Sequence, residues 1–363
     1  MHEHLPGEFK AIGYDVRGFV GDWKRMDYGD PSSERMSTLR QEFGLDQVVA
    51  GATSEFEAFL ALKRWVRSRW NHGWCRTKVV DGLDILREAA TGKQFQCGHF
   101  ARTYVDCARA LGWPARATSI SVANCEAPRD YQIANVGHSI VEIWSNELEK
   151  WVALDPDVNV YYRRAGIPLN AVEIRDAWLS GARDEVEMVQ DQPTFVMPSG
   201  QYTTDLLNEE VPHRAWTDEN VRLMLERFAR FRVLDYYERV TANGWEWVDG
   251  RHLPTFIAHF GPKSVRPTGN LADLYWSLNM VRLTASPTWG AEGSKLAVTL
   301  EHCMPWFDHY EAQIDGGGWR TVAESFDWPM REGVNRLECR AVNARQRPGV
   351  VSWLEAAHAR QQN

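Results

Sequence analysis

A cysteine at the head of an amphipathic stretch, followed by two strand-like runs that begin on a histidine and end on an aspartate, constrains this chain most. Gly98 to Leu111 places Phe100, Tyr104, Cys107, Ala108 and Leu111 at helical spacing, with one face buried. Gly112 and Pro114 end the helix. Cys97 therefore stands at the first turn, where free backbone N–H groups and the helix dipole favour negative charge. A thiol there ionises more readily, and the thiolate is the form that attacks.

The runs His138-Ser-Ile-Val-Glu-Ile-Trp and Glu149-Lys-Trp-Val-Ala-Leu-Asp155 are rich in β-branched and aromatic residues, and Ser145 to Leu148 reads as the turn of a hairpin. A turn symmetric about residues 146 and 147 pairs Trp144 with Glu149 and Glu142 with Trp151, and sets His138 directly opposite Asp155. Cross-strand Cβ atoms lie about 4.5–5.5 Å apart. At that range an aspartate holds one imidazole nitrogen and leaves the other for a thiol. Pro156 ends the ladder, having no N–H to donate.

In order and local context these residues resemble the transglutaminase-like superfamily of papain-like thiol enzymes. The segment Cys97-Gly-His-Phe-Ala-Arg-Thr-Tyr, with Cys107-Ala-Arg-Ala-Leu-Gly-Trp-Pro-Ala-Arg, also resembles peptide N-glycanases and bacterial transglutaminase-like proteins. The similarity spans roughly residues 54 to 160, and its weight lies in the combination. It implies Cys97 as nucleophile, His138 as base and acid, and Asp155 as the orienting carboxylate. It also implies an oxyanion donor beside the Cys97 N–H, often an upstream glutamine or tryptophan. Trp70, Trp74, Gln94 and Gln96 are the candidates, with Trp74 favoured from the Gly-containing loop Asn71-His-Gly-Trp-Cys-Arg.

The six cysteines, at 75, 97, 107, 125, 303 and 339, make no Cys-x-x-Cys pair. That departs from eukaryotic peptide N-glycanases, and neither a metal nor a cofactor is expected. Cys107 and Cys125 read as small hydrophobes. Cys303 and Cys339 are expected on two different strands; whether they form a disulfide is left open.

A net charge of −8 and the lack of a basic cluster argue against a nucleic-acid partner. No apolar run approaches the roughly 18 residues of a membrane span. The start Met-His-Glu-His-Leu-Pro has no apolar signal-peptide core, although a mature exported chain would look the same. A soluble protein is expected, with its compartment and oligomeric state open.

Elsewhere, helices are expected over about 32–43, from Ser54 to about Trp70, over 81–90, 170–180 and 217–240, with a strand over 115–123. From about residue 278, short alternating runs separated by turn clusters indicate a β-sandwich resembling immunoglobulin-like or fibronectin-like modules. The expected fold is α+β: a transglutaminase-like (papain-like) core with a C-terminal immunoglobulin-like β-sandwich. Its expected divisions are 1–200 for the catalytic core with an N-terminal extension, 201–272 for a helical bridge, and 273–363 for the sandwich.

The leading functional expectation is a cysteine-dependent amide hydrolase or acyltransferase, of peptidase, amidase or transglutaminase type, acting through a thioester. The 17 tryptophans motivate an alternative, a carbohydrate-active enzyme on the same fold. Trp245, Trp247, Tyr161 and Tyr162 would then bind substrate, and His138 would act with an acid or with Tyr104, Tyr161 or Tyr162. A non-catalytic binding relic is the third possibility. Peptide, protein or glycan is accordingly the expected partner.

Overall fold

The computed structural model describes residues 9–73, 75, 77–121, 137–191, 224–234, 243–247, 264–288 and 294–359. These fall into two compact units: Lys24–Tyr275, and a second that joins the chain up to Trp23 with the chain from Trp276. The division departs from the expected 1–200, 201–272 and 273–363. Strand β1 (Phe9–Asp15) pairs antiparallel with the last strand, Ser352–His358, instead of extending the catalytic core. Phe9 is buried in one core with Val281 and Leu354. No local pattern could have signalled a pairing across almost the whole chain.

In the larger unit, five helices precede the first core strand: α1 (Glu34–Glu42), α2 (Leu45–Val49), α3 (Glu55–Arg67), α4 (Gly82–Ala89) and α5 (Cys97–Ala110). Side chains start three of them, Ser33 for α1, Ser54 for α3 and Asp81 for α4, each accepting an N–H from the first turn. Glu57 completes no capping box at Ser54; its carboxylate takes the N–H and hydroxyl of Thr53 instead. Helix α5 is the hub, touching α1, α3 and α4 as well as two strands, β2 (Ala115–Ser121) and β3 (Gly137–Ser145). Phe100, Ala101, Tyr104, Cys107 and Ala108 are fully buried along it. Truncating a core aromatic such as Phe100 to alanine costs about 3–5 kcal/mol.

The sheet continues through β4 (Lys150–Asp155), β5 (Val160–Arg164) and β6 (Ile167–Pro168). After α6 (Ala171–Leu179) come β7 (Glu187–Gln190), β8 (Arg230–Leu234), β9 (Asn243–Trp247) and β10 (Ser264–Thr268). The strand order is β10-β9-β8-β2-β3-β4-β5-β6, with β7 also on β5. Residues 201–272, expected as a helical bridge, thus supply β8, β9 and β10 to the core sheet. The helix expected over 217–240 is not formed over 230–234, where Arg-Phe-Arg-Val-Leu pairs with β2 as β8. Its partners on both sides, β2 and β9, outweigh helical spacing. Alternation also divides the sheet's side chains. Val141, Ile143, Val152 and Leu154 join the helix-side core, while Ile140 and Ala153 join a second cluster with Val172, Ile174 and Phe228.

The second unit is antiparallel throughout. Its strands are β11 (Val281–Thr288), β12 (Lys295–His302), β13 (Phe307–Ile314), β14 (Arg320–Val322), β15 (Ser325–Pro329), β16 (Gly333–Asn343) and β17 (Ser352–His358). Sheets β1-β17-β16-β13-β14 and β11-β12-β15 contribute to one apolar core, including Leu283, Val298, Trp328 and Leu337. Cys339 lies on β16, and Cys303 just past β12 instead of within a strand; both are buried free thiols. Among the described residues no helix is long and apolar enough to cross a membrane.

Candidate active site

Cys97 is the first residue of α5, and Gln96 before it makes no side-chain cap. Helix geometry leaves the Cys97 and Gly98 N–H groups without partners inside the helix, so the positive end of the dipole lies at the sulfur. The thiol is half-buried. The Trp70 ring stacks on Phe100 at 4.2 Å between centroids and donates Nε1–H to the Phe95 carbonyl at 3.2 Å. This packing holds the segment that leads into the cysteine.

The hairpin carries His138 to Asp155 by a register different from the one expected. Trp144 pairs with Trp151 and Ser145 with Lys150, which places Asp155 diagonally across from His138 rather than directly opposite. A residue outside the hairpin also grips its turn. Glu55, at the start of α3, accepts the Ser145 hydroxyl at 3.1 Å and the Asn146 N–H at 2.7 Å. Ser145 is thereby held as the last residue of its strand, and Glu149 takes the left-handed turn position, φ 51°. Because the shift is even, His138 and Asp155 keep the same face. Their contact survives, with His138 Nε2 2.6 Å from Asp155 Oδ2.

Asp155 is itself held. Its other oxygen accepts the N–H groups of Asp157 at 3.1 Å and Val158 at 3.2 Å, closing the turn around Pro156. A carboxylate can only accept, so His138 donates from Nε2 and presents Nδ1 as a base. Nδ1 is buried, and the side-chain hydrogen bond between His138 and Cys97 is left to it.

A second histidine–aspartate pair, which sequence reasoning missed, adjoins the first. His72 Nδ1 lies 2.9 Å from both oxygens of Asp157, and both side chains are buried. Cys97 Sγ, a ring nitrogen of His138 and a carboxylate oxygen of Asp157 all lie within 4.8 Å of one another. Among the described residues this is the one group of three such donors. The Asp155-Pro-Asp157 spacing was the available signal, since one turn can aim two carboxylates to the same side. Nothing local marked His72, which is 85 positions away from Asp157 in the chain.

Burial pushes the Cys97 thiol up, but the hydrogen bond and charge of His138 overcome it and the pKa is lowered. Burial likewise opposes charge on His138, yet the Asp155 carboxylate and the thiol raise its pKa to about 10. The two directions agree: the site favours a thiolate–imidazolium pair. Burial also works against the second pair, and again the partners win, raising His72 and lowering Asp157. Further in, Lys63 is fully buried, 3.0 Å from the Asn159 carbonyl and 2.9 Å from Asp191. Burial brings its pKa down to about 8.

The remaining expected residues are distributed unevenly. Gln94 packs on Gly73 so closely that a Cβ there would come within 2.6 Å of its side chain, and Gln94 Oε1 is buried without a partner. Gln96 is half-buried at the helix cap. Trp74, Cys125 and the side chain of Trp245 lie outside the described residues. Trp247 packs partly on the second core cluster, and Tyr162 is fully buried there beside Phe228. Tyr161 is buried against Phe56, and Tyr104 donates to the Phe59 carbonyl at 3.2 Å within the helix-side core. The structure brings none of these tyrosines into hydrogen bonding with His138.

Residues 45–156 match the family described as the transglutaminase-like superfamily. His72, Cys97, His138 and Asp155 lie within that segment, and Asp157 one residue past its end. No curated protein sequence matches the chain. Among solved structures, red sea bream transglutaminase is similar over 98% of this chain and 77% of that one, at 12% identity and a TM-score of 0.27.

Proposed function

We propose, from the premise that residues 45–156 are a transglutaminase-like superfamily core, that this protein is a cysteine-dependent amide hydrolase or acyltransferase. The observation that carries the reading is His138, held by Asp155 through Nε2 at 2.6 Å beside a half-buried thiol at a helix head. His138 Nδ1 takes the Cys97 proton, and the thiolate adds to a carboxamide or peptide carbonyl carbon. The Cys97 N–H receives the developing oxyanion, with the second donor drawn from Trp74, Gln94 and Gln96. As the tetrahedral adduct collapses, His138 returns the proton to the departing nitrogen, and ammonia or an amine leaves. Water or a second amine then attacks the thioester, giving up a proton to His138 and releasing the thiolate.

The substrate belongs to peptides or proteins in this reading. The buried settings of Tyr161 and Tyr162, and the packing of Trp247 on the second core cluster, lend no support to a glycan platform. Two antiparallel sheets around one core favour an immunoglobulin-like sandwich for the second unit. The test is ammonia release and primary-amine incorporation on glutamine- and asparagine-containing proteins, with wild type beside Cys97→Ala. Turnover by wild type that vanishes in Cys97→Ala supports the reading. Undiminished turnover in the variant, on a protein or on a polysaccharide, overturns it.

A further inference from the structure

We infer that His72 and Asp157 form a positioning pair that keeps Cys97 and His138 charged in the resting site; the inference rests on Cys97 being the nucleophile proposed above. His72 Nδ1 meets both Asp157 oxygens at 2.9 Å, and Asp157 in turn reaches within 4.8 Å of the Cys97 sulfur and a His138 ring nitrogen. A buried carboxylate that near a thiolate opposes its ionisation, and a histidinium bound to the carboxylate cancels the opposition. His72 thus permits a carboxylate to steady the His138 imidazolium without suppressing the thiolate.

Both members are fixed from outside the pair. His72 bridges to Phe95, two residues before Cys97, and the Asp157 N–H is held by Asp155. Every packed element supplies a charge to this balance. Cys97 faces the pair from α5, His138 from β3 and Arg67 from α3, while Asp155 and Asp157 share one turn. Lys63, also on α3, faces Asp155 and Asp191. The anionic Cys97, Asp155 and Asp157 are therefore matched by His138, His72 and Arg67.

The test is the rate of Cys97 alkylation by iodoacetamide, read by peptide mass spectrometry across pH, in wild type, His72→Gln, Asp157→Asn and the double variant, with thermal unfolding of each. His72→Gln leaves Asp157 uncompensated, so the midpoint of the pH–alkylation profile should move to higher pH, and alkylation on the acid limb of the profile should slow about tenfold. Removing the carboxylate as well should restore the rate to within about threefold of wild type, a rescue that lost packing would not give. Equal slowing in His72→Gln and the double variant overturns the inference, as does an unchanged rate in His72→Gln.

Should His72→Gln fail to fold, NMR of isotope-labelled imidazoles in the wild type decides. A charged His72 ring near neutral pH supports the pair, and a neutral one overturns it. An ordinary thiol profile for Cys97 in the wild type would instead sink the nucleophile assignment, and this inference with it.

Discussion

Thiols in the two units meet opposite fates. Cys303 and Cys339, in and beside the apolar core of the second unit, are pushed up to about 12 by burial. Cys97 feels the same penalty, yet its pKa falls, because His138 lies against it and is itself kept charged by Asp155. Burial alone therefore makes a cysteine inert. Burial beside a compensated positive charge makes it reactive, because a site with little water screens attraction poorly. The first unit gathers ionic groups around α5, whereas among the described residues the second unit buries no Asp, Glu, Lys or Arg.

The largest expected break in this comparison is in turnover. Cys97→Ala should remove activity by a factor on the order of 10³ or more, while Cys339→Ala should leave it unchanged, in steady-state assays on one substrate. Next comes Asp155→Asn, which keeps the shape but no longer sustains charge on His138. Its turnover should fall by a factor on the order of 10²–10⁴, with the pH profile moved along with the rate. A fall with an unmoved profile would point to misfolding instead.

Smaller, and independent of any substrate, is selectivity in alkylation. Near pH 7, iodoacetamide should label Cys97 well before Cys107, Cys303 or Cys339, since burial raises Cys107 well above the ordinary thiol value and Cys303 and Cys339 to about 12, leaving almost no thiolate on any of them. Labelling of Cys97 should persist down to its lowered pKa and change character only above about 10, where His138 loses its proton. Equal labelling of all four would erase the distinction between the regions.

What the sequence disclosed follows from the range of the forces involved. Helix α5 was legible because its apolar spacing, its glycine stop and the cysteine at its head are local. The hairpin arms were legible for the same reason, but their register follows the turn, where Glu149 takes a left-handed conformation and Glu55, some 90 residues away, binds Ser145. The predicted contact between His138 and Asp155 survived that error because a two-residue slip preserves the face of a strand. His72 could not be read at all, since its partner Asp157 is distant in the chain and its own segment has no periodicity. The union of β1 with β17 and the strand character of Arg230–Leu234 were hidden likewise, each depending on neighbours the local pattern does not name.

The smallest expected effect concerns stability, and it separates the units by how a destabilisation varies with pH. His138 is raised in the fold to about 10, against about 6.5 in an unfolded chain. A basic group raised on folding stabilises fully below its unfolded pKa, and that contribution is lost as the pH rises through the folded value. The gap in unfolding free energy between wild type and His138→Gln should therefore be widest below about pH 6.5 and shrink progressively towards pH 10. Leu337→Ala, a cavity in the second unit's core, should cost about 2–5 kcal/mol and stay level over the same range, because nothing it removes can titrate. Denaturant titrations at a series of pH values read both. Parallel, pH-independent gaps would mean that His138 is neutral in the fold, and the contrast between a charged and an apolar interior would then reduce to packing alone.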